Sequence, residues 1–144
     1  MRRIMIGLAI MALTTGVMVA AGGTWRNGKA PEGYLVEHET DIAKSEPGPH
    51  KGTGQSIGYN FFNKAPGFKL AFHKRVLHPG ASIGYHNQET DEVYYIDSGT
   101  GKMTINGNTF DVKPGDAILT RTGSSHGVVQ TGSADLTIIV SYDK

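Results

Sequence analysis

No cysteine occurs among the 144 residues, which removes disulfide staples, thiolate metal sites and cysteine nucleophiles together. Charge of one sign is lacking as well. Fourteen Lys and Arg stand against 13 Asp and Glu, a formal net charge of +1, and nothing suggests the basic footprint of a nucleic-acid partner. After residue 33 no segment sustains a 3.6-residue apolar period, so few helices are expected. Gly52, Gly54 and Gly58 lack the preceding strand and following helix of a nucleotide fingerprint. No dedicated nucleophile and no Ser-His-Asp arrangement is visible.

What the chain does have is glycine, 20 residues of it, as suits a turn-rich all-β domain. The length predicts one domain and suffices for a sizeable core. The first 21 residues have the layout of a secretory signal. Arg2 and Arg3 precede an apolar run over residues 4–21, with Val19 and Ala21 at the small positions before a cut after Ala21. An uncleaved membrane anchor is the alternative, because the run nearly suffices to span a bilayer. With no cysteine after the run, a lipid-modified cysteine anchor is excluded. Loss of residues 1–21 leaves 12 basic against 13 acidic side chains, a net −1. Residues 22–33 read as a Gly/Pro-rich linker and 34–144 as the folded domain, either periplasmic or secreted.

Within that domain the alternation over residues 34–40 predicts a first strand, and the turn formers of residues 43–56 predict a loop. Strand-like runs then recur at 57–62, 68–77, 82–87, 92–97, 101–105, 109–112, 116–120, 125–130 and 135–142. Asn106-Gly107 between two of them marks a two-residue hairpin, since both central positions need positive φ. Many short strands with no helical layer predict a sandwich or closed barrel.

Chemistry concentrates between Gly80 and Gly99. His86 and Gln88, two residues apart on a strand, leave the same face. Glu92 opens the next strand, and His126 comes from a later one. Imidazole, carboxylate and amide groups converging from separate strands look like a metal site.

These residues resemble the two motifs of the cupin superfamily. Gly80, His86, Glu92 and Gly99 fall at the spacing of the first motif, with Gln88 where a second His is usual. Gly115, Gly123 and His126 match the second, with Arg121 in the usual Pro position and Gln130 in the usual Asn position. The resemblance spans residues 68–142 and implies a double-stranded β-helix, the jelly-roll barrel of a small single-domain bacterial cupin. It further implies one divalent metal, Fe, Mn, Ni or Zn, held by His86, Gln88, Glu92 and His126. Gln88 is the departure: a neutral amide oxygen is a weaker donor than imidazole. A barrel whose polar groups only bond one another, Glu92 with His126 for instance, is the competing reading.

By strand parity Tyr94 and Ile96 share the face of Glu92, while Val128 and Gln130 share that of His126. Tyr94 is therefore the candidate general acid, against a core aromatic with a satisfied hydroxyl. Arg121 is the candidate contact for an anionic substrate at the barrel mouth, against an ordinary surface arginine. His50 reads as a loop histidine or part of a lid. His73 reads as structural, and His38 and His78 carry no signal. Two functions follow: an exported metalloenzyme acting on a small molecule (a dioxygenase, a decarboxylase, or a sugar or hydroxy-acid isomerase or lyase), or a non-catalytic ligand-binding or structural cupin. A homodimer is expected, formed by adding a terminal strand such as 34–40 to a partner's sheet. If Gln88 is a ligand, Gln88→His binds metal more tightly in a chelator competition; unchanged affinity removes Gln88 from the set.

Overall fold

The computed structural model describes residues 33–144, so the expected signal segment and nearly all of the linker lie outside the described residues. Ten strands follow one another: β1 Ala43–Pro47, β2 Gln55–Phe61, β3 Leu70–Leu77, β4 Ser82–Asn87, β5 Glu92–Ser98, β6 Gly101–Ile105, β7 Asn108–Val112, β8 Ala117–Thr120, β9 Ser125–Gln130 and β10 Leu136–Asp143. All pair antiparallel, in a six-stranded sheet ordered β1-β2-β3-β10-β5-β8 and a four-stranded sheet ordered β4-β9-β6-β7. The two sheets close on a shared core, in keeping with the sandwich or barrel that the short strands predict and with the jelly-roll barrel that the cupin resemblance implies. At the β6–β7 hairpin Asn106 and Gly107 both take positive φ, at 49° and 81°.

The period-2 pattern decides what fills the barrel. On β5 the buried residues are Glu92, Tyr94 and Ile96, in strict alternation with exposed ones. Along β3, β5 and β10 the inward series runs from apolar to polar in the same spatial direction. It reads Ile96, Tyr94, Glu92 on β5 and Leu77, Arg75, His73 on β3. On β10 it reads Leu136, Ile138, Val140, Tyr142, and β9 contributes Val128 then His126. One end of the barrel is thus sealed by Leu77, Ile83, Ile96, Met103, Val128, Leu136 and Ile138, the apolar cluster that drives folding. The other end is polar and open.

Strand β4 needs a correction to simple alternation. Ile83 pairs with Val128 and His86 with His126, so three steps on β4 match two on β9. This bulge turns Tyr85 outward, where it is exposed, and brings His86 back to the inner face. Gly84 sits in the bulge. Its N–H donates to the Pro49 carbonyl (2.9 Å), so the loop between β1 and β2 packs directly on this sheet edge. Thr53 reinforces it, with its backbone N–H donating to Ser82 Oγ (2.8 Å) and its carbonyl accepting from Ser82 N–H (3.0 Å). A Cβ on Gly84 would run into the His50 carbonyl, and one on Gly52 into the Ser82 carbonyl.

The start of the domain differs from expectation. Residues 34–40 form no strand; Tyr34 and Val36 are exposed, and a one-turn helix, α1 Glu39–Ile42, follows with His38 as its N-cap. An alternating pattern without an adjacent free edge has nothing to pair with. The free edge of β2 is instead taken by β1, inside the stretch read as loop. Pro47 is tolerated there because β1 is the edge of its sheet. Gly84→Ala is expected to destabilise the fold by about 3 kcal/mol through this overpacking, read from the urea midpoint.

Candidate metal centre

His86 and His126 face each other across the β4–β9 ladder, and Glu92 reaches them from β5 on the opposite sheet. One ligand atom from each lies within 4.8 Å of the other two. His86 Nδ1 lies 2.8 Å from the Gly84 carbonyl, which can only accept. The proton is therefore on Nδ1, and the Nε2 lone pair is left for the site. His126 is wholly buried. Its Nε2 lies 2.8 Å from the Tyr94 hydroxyl and 3.1 Å from Glu92 Oε2, while Nδ1 has no partner. The Glu92 contact is close but not aligned as a hydrogen bond, so Oε2 too is buried without one.

Such an orphaned carboxylate oxygen is costly in a barrel interior unless a cation compensates it. Ligands at about 2.0–2.2 Å from a common centre sit at mutual separations of this order. Two imidazoles and a carboxylate are moreover the donor set that non-haem divalent metals take. The residues present fit one divalent ion. The rival reading, in which Glu92 is satisfied by His126 alone, leaves Oε2 without an aligned donor.

Gln88 lies just beyond β4 and lines the same cavity. Its backbone is clamped to the 121–124 turn, N–H to the Ser124 carbonyl and carbonyl from Gly123 N–H, both 2.8 Å. Its side chain is buried, with Nε2 only at the 3.5 Å limit from Thr90 Oγ1. Tyr94 is buried with its ring edge-on to His126. Burial first, then the charge of Glu92, pushes its hydroxyl well above the ordinary tyrosine range, so it stays protonated. Arg121 does not line the cavity. Its side chain is exposed on the surface and its Nε pairs with Asp91 (3.3 Å), which the Thr122 N–H and hydroxyl also hold. Gln130, on the inner face as parity predicts, ties turns at the sealed end: Gly80 N–H donates to its Oε1, and its Nε2 donates to the Gly132 and Ala134 carbonyls.

A cavity of about 480 Å³ opens over this centre. Among the groups in its walls that motif reading set aside or passed over are His50, His73, Arg75 and Tyr142. His73 meets the Tyr142 ring edge-on, and burial, then the nearby Arg75 charge, lowers its pKa. His50 lies face to face on His86, ring centroids 3.5 Å apart and planes within 1°. Both His50 and Lys51 hold left-handed φ, 52° and 61°, in a loop locked onto β4. Backbone strain of this kind is kept where surrounding structure imposes it. The sequence cue was Gly84, a lone glycine inside a strand pattern, which marks a bulge or a close backbone approach.

Comparison with known proteins follows the same outline. Residues 74–142 match the cupin domain family model. Over 66 residues the chain is 41% identical to the oxalate-binding protein of Thermotoga maritima, covering 45% of this chain and 54% of that protein. It is 29% identical over 69 residues to 5-nitrosalicylic acid 1,2-dioxygenase of a Bradyrhizobium species, 48% of this chain and 33% of that enzyme. The matches therefore span about half or less of these curated relatives. A crystal structure of a predicted oxalate decarboxylase from Thermotoga maritima superposes with TM-score 0.69 and 30% identity, covering 75% of this chain and 97% of that one.

If the stack braces His86, His50→Ala loses about 1 kcal/mol of stability and His50→Phe, which keeps a flat ring there, about half as much or less. Equilibrium denaturation of the two variants beside the wild type measures the difference.

Proposed function

The chain belongs to the cupin family, and on that premise we propose that it is an exported cupin holding one divalent metal at His86, Glu92 and His126 and acting on a small acid in the cavity above. The observation that carries this reading is the buried, unaligned Glu92 Oε2 facing two imidazoles, with all three donor atoms within 4.8 Å. When bound there, a divalent ion would polarise a ligand oxygen at a position the protein leaves open. The chain's own groups do the rest. Tyr94 keeps a proton beside His126, His86 is held in one tautomer by Gly84, and the apolar seal excludes water from beneath.

The Thermotoga relative named for oxalate binding supports a small carboxylic acid as ligand, and the dioxygenase relative supports an aromatic acid as a further class to test. Export is supported by Arg2, Arg3 and the apolar run of residues 4–21. A non-catalytic binding module is the second reading. It is favoured by the Tyr94 hydroxyl being engaged with His126 rather than pointing at an open position. Self-association is supported by the outer face of the six-stranded sheet, where exposed Val93 lies opposite exposed Leu119, with Tyr95 and Phe72 on the same side.

Elemental analysis of the purified protein, offered Mn, Fe, Ni and Zn in turn, tests the metal. The wild type is expected to hold about one ion per chain, and Glu92→Ala and His126→Ala to lose at least tenfold in affinity. A wild type that retains none of the four metals sinks the proposal. Oxygen consumption and product analysis on small carboxylic and aromatic acids then separate enzyme from binding module.

A further inference from the structure

The cavity has a second polar pole, built around Arg75. Arg75 faces the lumen from β3, one inward step below His73, with its side chain only 12% exposed. One terminal nitrogen, Nη1, is held by Glu46 Oε1 (2.5 Å) and Ser56 Oγ (3.2 Å), both on neighbouring strands. The fold makes room for this. Gly58, opposite Arg75 on β2, has no space for a Cβ, which would press on Nη1 and on Glu46 Oε1. Glu46 is shared with Lys44 Nζ (3.3 Å), so two cations face one carboxylate and the cluster keeps one net positive charge. The Glu46 carboxyl is held below the usual carboxylate range, chiefly by the hydrogen bond from Arg75.

A guanidinium has five N–H donors, and Glu46 and Ser56 engage only the one nitrogen. The other two nitrogens bond no described residue, yet neither is among the buried atoms left without a partner. Arg75 itself lines the cavity, and its side chain keeps 12% exposure. A planar fork with free donors is suited to a carboxylate, which it can bind through two parallel hydrogen bonds. His86 lines the same cavity from the opposite sheet and Glu92 from β5 of Arg75's own sheet, with His126 buried behind them. The lumen therefore presents two separate points for oxygen ligands, one at the candidate metal centre and one at a fixed cation.

We infer that Arg75 is the anchor for a second carboxylate, and that the cavity selects small dicarboxylates over monocarboxylates by this two-point grip. The inference rests on the proposed metal reading for its first point and on Arg75 alone for its second. Glu46 and Ser56 act by aiming the guanidinium, and Lys44 by leaving its charge uncancelled.

Calorimetric titration of the metal-loaded full chain with oxalate, and with acetate as the one-carboxylate probe, tests it. Arg75→Gln is expected to lose about ten- to a hundredfold in oxalate affinity, with acetate affinity and metal content unchanged. Arg75→Lys, which keeps the charge but loses the fork, falls between. Arg121→Gln, which removes a guanidinium and its ion pair at the surface, is expected to stay within about threefold of wild type for oxalate. Oxalate affinity unchanged in Arg75→Gln overturns the inference, as does an equal loss in Arg121→Gln, which would make the effect one of overall charge. Failure of the wild type to bind oxalate overturns it too. Metal content, read separately on each sample, shows whether the metal reading has failed with it or stands.

Discussion

A carboxylate placed inside a barrel is the constraint on which the rest of this structure depends. Glu92 is 5% exposed, and a charge removed from water at that depth costs several kcal/mol unless it is compensated. Everything near it answers that cost. His126 Nε2 lies 3.1 Å from the carboxylate with the Tyr94 hydroxyl on the same nitrogen, and a bulge brings His86 to the inner face. The strands keep their inward histidines and the Glu92 carboxylate toward one end, and the apolar cluster fills the other. A single interior thus serves two ends: Leu77, Ile96, Leu136 and Ile138 stabilise the barrel, while the polar half carries the chemistry.

The bulge in β4 shows how backbone and site are coupled. Regular alternation after Ile83 would have sent Tyr85 inward and His86 out to solvent. One additional residue reverses that, and the cost of the irregular edge is met by the loop between β1 and β2. The Pro49 carbonyl accepts from the bulge glycine, and the same loop delivers His50 onto the face of His86. Edge protection and ligand orientation are therefore one device. Loops commonly bring functional groups to a rigid scaffold; here the loop also completes the scaffold.

Much of this was legible in the chain. Nine of the ten strands follow from short alternating runs between Gly, Pro and Asn turns, because a half-buried strand must show a period of two whatever its neighbours are. The convergence of His86, Glu92 and His126 was legible from motif spacing, and the burial of Tyr94 from parity with Glu92. β1 was not, since an edge strand made of Ala, Lys, Ser, Glu and Pro has no apolar face to advertise it. Residues 34–40 misled for the opposite reason: they alternate, but no edge lies beside them.

By itself, then, the sequence determined the fold class and the side chains that form the candidate centre, because local periodicity and fixed spacings survive in one dimension. Only the tertiary structure decided that Arg121 is spent on Asp91 at the surface, and that Arg75 stands in the lumen opposite Gly58, where a Cβ would crowd it. The tertiary structure alone also laid His50 flat on His86. Each of those facts depends on strand register or loop docking between residues far apart in the chain, and register is set by the closed barrel as a whole rather than by any segment of it.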